Sequence, residues 1–319
     1  MVTINSETLG KFEVLTKRFG KNEALRGLSF KIYKGINGLI GPNGAGKTTA
    51  IRLSLGLIKP DTGKAEMFGY DCWKESLEIR QRIGILYEKV AFYDGLSGFD
   101  QLSLMAKLKG VAYPSIEVKR VLKLVELEKD AQYRKIAGYS AGMRQRLGLA
   151  QALIGEPELV ILDEPTSNLD PLGRGQVLSL IKDLQKDKGI SFLISSHILS
   201  ELERVCDNFV LMNKGKTIKE GSLEQLLGIT STKTFIVKVQ PAAQLSRLLE
   251  REAYVERLSI DGDVINVVVK DVTTFKQHLP LLISEANASL EEVKIAKEDL
   301  ESVFKTAIEG DLDGQSTES

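Results

Sequence analysis

The sequence predicts an α/β fold, with a parallel sheet covered by helices on both faces and a smaller α+β unit after it. Three observations predict this. Two apolar runs, 159–163 and 191–195, are each followed by a helical pattern, as strands buried on both faces require. A third apolar run, 36–40, enters a glycine-rich loop and then another helical pattern. Beyond Gly221 the order becomes β-α-β-β-α-β.

The bulk composition sets the limits. A chain of 319 residues suits two domains or one large domain with an appendage. Hydrophobic residues at 43% and charged residues at 27% provide for both a core and a solvated surface. Basic and acidic residues number 43 each, so no global basic footprint exists and no nucleic-acid partner is expected. Cys72 and Cys206 form no Cys-x-x-Cys pair, and only His197 and His278 accompany them, which argues against structural zinc. The opening MVTINSETLG lacks the pattern of a signal peptide. The apolar runs fall far short of the ~20 residues that span a bilayer, so a cytoplasmic chain is expected.

Along the chain, β-like runs at 12–15 and 28–33 flank turn-rich FGKNEALRG. After the strand at 36–40, KTTAIRLSLGLI reads as a helix. Residues 73–155 read as mostly helical, through WKESLEIRQRIG, FDQLSLMAKLKG, SIEVKRVLKLVELE and AGMRQRLGLAQALIG. In the last part, strands FIVKVQ, VERLSI, INVVVK and LEEVKIA alternate with helices AQLSRLLEREA and TFKQHLPLLISEA. The turn Asp261-Gly262-Asp263 supports the central hairpin. A closing helix EDLESVFKTAI precedes a polar tail expected to be disordered. The expected domains are 1–228, with a helical block at about 85–155, then 229–306 and the tail 307–319.

The glycine-rich loop carries the chemistry. Gly41, Pro42, Asn43, Gly44, Ala45, Gly46, Lys47 and Thr48 fit G-x-x-x-x-G-K-[ST] at every fixed position. Glycines let backbone N–H groups wrap phosphates, and the helix that follows presents its positive end to the anion. In such a loop the lysine reaches the β/γ oxygens and the Thr48 hydroxyl ligates Mg²⁺. Thr49 continues the loop into the helix. A nucleoside triphosphate is the expected ligand.

A second motif lies at 159–164, where an apolar strand ends in Asp163 and Glu164. Ligands bind at the carboxyl ends of such strands. Adjacent residues face opposite ways, so Asp163 is assigned to the metal and Glu164 to polarising the attacking water. The competing reading is a solvated acidic turn before Pro165.

Between these motifs stands Tyr139-Ser140-Ala141-Gly142-Met143-Arg144-Gln145-Arg146. It resembles the signature loop of the ABC-transporter ATPases, and the order phosphate loop, signature, Asp-Glu strand and lone histidine also matches that family. The resemblance covers residues from about 10 to 225 and is nearest to the ATP-binding subunits of drug or antibiotic exporters. It implies a P-loop NTPase core with an antiparallel β subdomain and an inserted helical subdomain. The C-terminal part is read as an α+β ferredoxin-like accessory domain.

The resemblance further implies roles for single residues. Phe19 matches the aromatic that stacks on adenine, against a reading as ordinary strand packing. Asp170 matches a loop residue that helps place Glu164, against a reading as a helix cap. His197 matches the switch histidine that contacts the γ-phosphate. Ser140, an N-cap, and Gly142 would grip ATP held by an opposite subunit. Glu88 stands where the family has a glutamine, and it keeps an oxygen for Mg²⁺ while adding a charge near phosphate. Ala141 and Met143 also depart from the pattern, and a Cβ at Ala141 is expected to crowd a backbone that glycine would relax. Phe92, Tyr93 and Phe99 either line a groove for a membrane-subunit helix or pack the helical block.

The implied function is ATP hydrolysis that powers a separate transmembrane permease from the cytoplasmic face of the membrane, as a homodimer or with a related ATPase. One alternative is an ATPase of the same fold acting on ribosomes or DNA. Another is a regulatory module that only binds ATP.

Overall fold

The computed structural model describes residues 7–227, 233–295, 300, 301, 303 and 304. The chain divides into two compact units, 1–223 with 304–319, and 224–303.

The first unit opens on a long hairpin, β1 (Thr8–Phe19) and β2 (Asn22–Tyr33). The strand β3 (Ile36–Ile40) is buried at every residue and leads through the glycine-rich loop into α1 (Lys47–Ser54). Next come β4 (Thr62–Met67), β5 (Tyr70–Asp71), α2 (Ser76–Arg82) and β6 (Ile83–Leu86). Four helices follow: α3 (Gly98–Leu108), α4 (Pro114–Leu124), α5 (Lys129–Gln132) and α6 (Ala141–Ala152). The chain returns to the sheet as β7 (Leu159–Asp163), α7 (Pro171–Lys188), β8 (Ser191–Ser196), α8 (Leu199–Leu202), β9 (Asn208–Asn213) and β10 (Lys216–Ser222).

Two sheets result. An antiparallel one has the order β2-β1-β4-β5, and its Phe12 and Phe30 rings stack 4.3 Å apart. The other has the order β10-β9-β3-β8-β7-β6, in which only β10 runs antiparallel to its neighbour. The strand β3 sits between β8 and β9, both later in sequence, so the chain leaves a crevice at its carboxyl end. The phosphate loop lies at that end.

Several elements differ from the sequence reading. The run at 83–86 reads as the end of a helix, yet it is β6, paired in register with β7. Its four residues are too few to establish a period of their own, and α2 runs straight into them. The helix from Lys47 stops at Ser54 rather than continuing to 58, because Gly56 adopts φ +63 one residue past the cap. β4, β5, β9 and β10 had no reading as strands. The exposed, charged residues of β4 and β10 break the apolar alternation that marks a half-buried strand, β5 is only two residues long, and the buried run Phe209 to Met212 of β9 is too short for its period to decide.

The second unit begins within α9 (Leu223–Leu226) and continues as β11 (Lys233–Gln240), α10 (Ala242–Leu249), β12 (Val255–Asp261), β13 (Val264–Val269), α11 (Val272–Glu285) and β14 (Ser289–Ile295). Its sheet has the order β12-β13-β11-β14. Phe235, Val237, Ile265 and Val267 pack against Leu245 and Phe275 of the helices in a separate core. Of the closing helix read at 298–308, residues 300, 301, 303 and 304 are helical, and the rest lies outside the described residues, as does the tail 307–319.

Candidate nucleotide site

The phosphate loop depends on its glycines for space as well as freedom. Gly46 holds φ +101, and a Cβ there would lie 2.8 Å from both the Ala24 carbonyl oxygen and a Leu25 methyl. A Cβ on Gly41 would strike the Met212 carbonyl oxygen. Lys47, 6% exposed, donates to the Gly41 carbonyl at 2.6 Å and closes the loop on itself. These backbone groups wall a cavity of about 370 Å³ into which Lys47, Thr48, Thr49, Glu88 and Glu164 project.

The acids at the end of β7 meet the loop here. Thr48 Oγ1 donates to Asp163 Oδ2 at 3.1 Å. Glu164 Oε1 lies 3.1 Å from Lys47 Nζ, and Oε2 lies 2.9 Å from His197 Nδ1. The Lys47 contact is ionic, because Oε1 is buried without an aligned hydrogen-bond donor. An ionised Glu164 accepts only, so Nδ1 of His197 carries the proton in this bond. A neutral ring then leaves Nε2 as a lone pair.

A residue that the sequence reading overlooked organises both acids. Ser195, fully buried on β8 and in register with Asp163, donates to Asp163 Oδ1 at 2.6 Å. The same hydroxyl accepts from the Glu164 amide at 3.0 Å. Glu164 has φ +51, a conformation unfavourable for an L side chain. The serine therefore holds a strained backbone that turns Glu164 toward Lys47 and His197. Only the pairing of β7 with β8 places Ser195 there, and strand order is not written in a linear pattern. Arg26 and Lys214 also line the cavity and were likewise missed.

The other expected residues lie elsewhere. Phe19 is 47% exposed at the end of β1, with Lys17 Nζ 5.6 Å from its ring centre; its register partner Asn22 lines the cavity. Ser140 caps α6 by accepting from Met143 N at 3.3 Å, and a Cβ on Gly142 would meet nothing within 4 Å. Neither lines the cavity. Ala141 opens α6 without a positive φ, so the crowding expected there does not occur. The Asp170 carboxylate accepts from Gly173 N at 2.7 Å as the N-cap of α7. Within one chain, Glu164 is placed by Ser195, Lys47 and His197. Phe99 stacks on Tyr133 in the helical block, whereas Tyr93 is 63% exposed.

The ABC transporter family model matches residues 25–167. The bacitracin transport ATP-binding protein BcrA of Bacillus licheniformis is 42% identical over 221 residues, 69% of this chain and 71% of that one. The chain belongs to the ABC transporter family. Daunorubicin resistance ATP-binding protein DrrA3 of Streptomyces coeruleorubidus is 32% identical over 293 residues, 90% of this chain and 92% of its own. A solved ATP-binding subunit of an ABC transporter shares 31% identity at TM-score 0.60, over 69% of this chain and 92% of that one. The ADP- and Pi-bound dimeric cassette MJ0796 shares the fold at TM-score 0.61 and 22% identity, over 67% of this chain and 99% of its own. The first unit is thus an ABC ATPase cassette of P-loop α/β fold. As a member of this family the chain is an ATPase whose hydrolysis is coupled to transport. The transport and drug-resistance relatives decide against the ribosome or DNA reading.

Proposed function

We propose that this ABC ATPase hydrolyses ATP in the cavity at the end of β3 and β7 to drive a separate permease that exports drugs or antibiotics. The observation that carries the site assignment is the pairing, beside the phosphate loop, of Thr48 with Asp163 and of Glu164 with both Lys47 and His197. The loop amides and Lys47 bind the phosphates, and Phe19 stacks on the adenine. Glu164 orients the attacking water and takes its proton, with His197 fixing the carboxylate.

The cavity's donor set fits Mg²⁺. Thr48 Oγ1 and Asp163 Oδ2 are hard oxygens 3.1 Å apart, with Glu88 on the same wall. Among the described residues no cluster of three or more His, Cys, Asp or Glu could hold a metal alone. That suits an ion shared with substrate phosphates. When bound, Mg²⁺ would neutralise charge on the transferred phosphoryl group.

Ser140 and Gly142, remote from the cavity, serve the ATP of an opposite subunit, and Asp170 acts across the same interface. The chain therefore works as a pair. Support comes from the helix N-terminus behind Ser140, which attracts phosphate, and from the dimeric state of the relative MJ0796. Among the described residues no helix is long and apolar enough to cross a membrane. A groove of about 360 Å³ where β6 meets α3, with exposed Leu57 and Leu108 beside Tyr87, suits a permease helix. It would place the chain on the cytoplasmic face. The second unit, at 229–306 in the sequence reading, is proposed to be a ferredoxin-like accessory domain that supports pairing, on the strength of its strand order. Phosphate release measured on the purified chain, with and without membranes holding the permease, tests the reading. Absence of ATP hydrolysis in both sinks it.

A further inference from the structure

We propose that β14 is a self-pairing edge through which a second copy of this chain joins the C-terminal unit. The strand is an edge of its sheet and exposed along its whole length. Among the described residues, α10 and α11 leave it uncovered. A groove of about 570 Å³ remains between α11 and the strand, and in it Leu290, Val293 and Ile295 are 45%, 38% and 47% exposed. At the opposite edge α10 packs on β12, so the apolar opening lies on the β14 side.

The register shows which backbone groups face outward. Val239 N donates to Asp263 O, toward β13. By alternation, Phe235 and Val237 on β11 also turn their groups toward β13. Their register partners on β14, Ile295 and Val293, consequently turn N–H and C=O to the open side. Such an edge is a template for another strand.

The charge pattern selects the occupant. Two copies related by a two-fold axis normal to the sheet pair antiparallel and keep their helix faces on one side. Registers centred on Glu292 or Lys294 set like charges directly opposite each other, which is destabilising. Glu292 and Lys294 pair with each other along the strand at 3.1 Å, and centring on Val293 sets Glu292 of each copy opposite Lys294 of the other, so the pairs would join into a four-charge alternation across the seam. Val293 then meets its own counterpart beside the two apolar grooves. The sequence Glu292-Val293-Lys294 is self-complementary when read antiparallel.

This contact deepens the reading of a paired cassette and rests on it for its purpose. A link that persists without nucleotide keeps the two cassettes at high effective concentration between ATP cycles. It is measured apart from ATP by sedimentation velocity and amide exchange on the full nucleotide-free chain.

The wild type is expected to dimerise, with concentration-dependent protection of the Val293 and Ile295 amides. Glu292→Lys and Lys294→Glu, both surface changes, should each weaken the dimer about tenfold or more. The double exchange Glu292→Lys/Lys294→Glu should restore it, and mixing the two single variants should yield a heterodimer. A nucleotide-free monomer, equal dimerisation by all variants, or unprotected Val293 and Ile295 amides in a dimer would each overturn the proposal. The paired-cassette reading is judged separately, by ATP-dependent association of Glu164→Gln in the Glu292→Lys background, where the β14 contact is broken.

Discussion

The buried Ser195 hydroxyl donates to Asp163 Oδ1 at 2.6 Å and leaves Oδ2 to face Thr48. The same oxygen receives the Glu164 amide, so one side chain orients the proposed metal ligand and the proposed base. Removing it frees the Asp163 carboxylate to rotate, while the Glu164 amide keeps its 3.2 Å bond to the Ser195 carbonyl. Hydrogen bonds to charged groups contribute about 1.5–3 kcal/mol, roughly 10- to 100-fold in rate. Ser195→Ala is expected to lower kcat by that factor and raise the Mg²⁺ concentration for half-saturation, with Mg²⁺-free nucleotide affinity little changed. Ser195→Thr should recover most of the loss. An unaltered Mg²⁺ dependence in Ser195→Ala would count against the orienting role.

Glu164→Gln keeps the shape of the side chain and removes its basicity. General-base catalysis contributes about 10²- to 10⁴-fold. Hydrolysis should fall by that order while ATP still binds, trapping a dimer that retains stoichiometric unhydrolysed ATP through size-exclusion chromatography. Normal turnover in the purified variant refutes the role.

Lys47 and Glu164 form a shielded pair, with side chains 7% and 11% exposed. Removing one partner of a buried pair costs about 3–5 kcal/mol, because the other charge is left behind. Lys47→Ala should therefore lose nucleotide binding and also lower the melting temperature of the ligand-free chain. Lys47→Ala/Glu164→Gln should regain part of the stability and none of the binding. Simple additivity of the two stability changes would show that the pair is not coupled.

Acid should strike the helical block through Glu117. Arg120 donates two hydrogen bonds of 2.7 Å to it, and Gly155 N donates a third of 2.7 Å. The Arg120 hydrogen bonds, aided by that amide, hold the Glu117 carboxyl below its ordinary value of 4.5 against the opposing effect of burial. Because the folded value is depressed, the stabilisation is fully present above 4.5 and drains away as pH falls through the folded value. Glu117→Gln should cost about 1–3 kcal/mol at pH 7. The gap between variant and wild type should close as the solution is acidified below 4.5. A gap that stays constant on acidification excludes this source.

The chemistry was more legible than the architecture around it. Gly41 to Thr48 and the Asp163-Glu164 pair are local patterns whose spacing is dictated by phosphate, so they stand out in one dimension. The strands β3, β7 and β8 are legible because burial on both faces writes a continuous apolar run. β6 is only four residues long and borrows its apparent period from α2. Ser195 looks like one polar residue closing an apolar strand, and its meaning comes from a neighbour 32 positions away. The same holds for Arg26 and Lys214, which reach the cavity from the turn-rich hairpin and from β9–β10.

The strands β6 and β7 are immediate neighbours, yet the whole helical block departs after one and re-enters at the other. The departure lies at the same end of the sheet as the phosphates, two residues before Glu88. Because β6 and β7 run parallel, the block leaves at that end and returns at the opposite one, where Glu158 N donates to the Arg82 carbonyl at 2.9 Å. The helical block is thus held at both ends of the sheet, and its phosphate-end tether is the short stretch that carries Glu88 into the cavity wall.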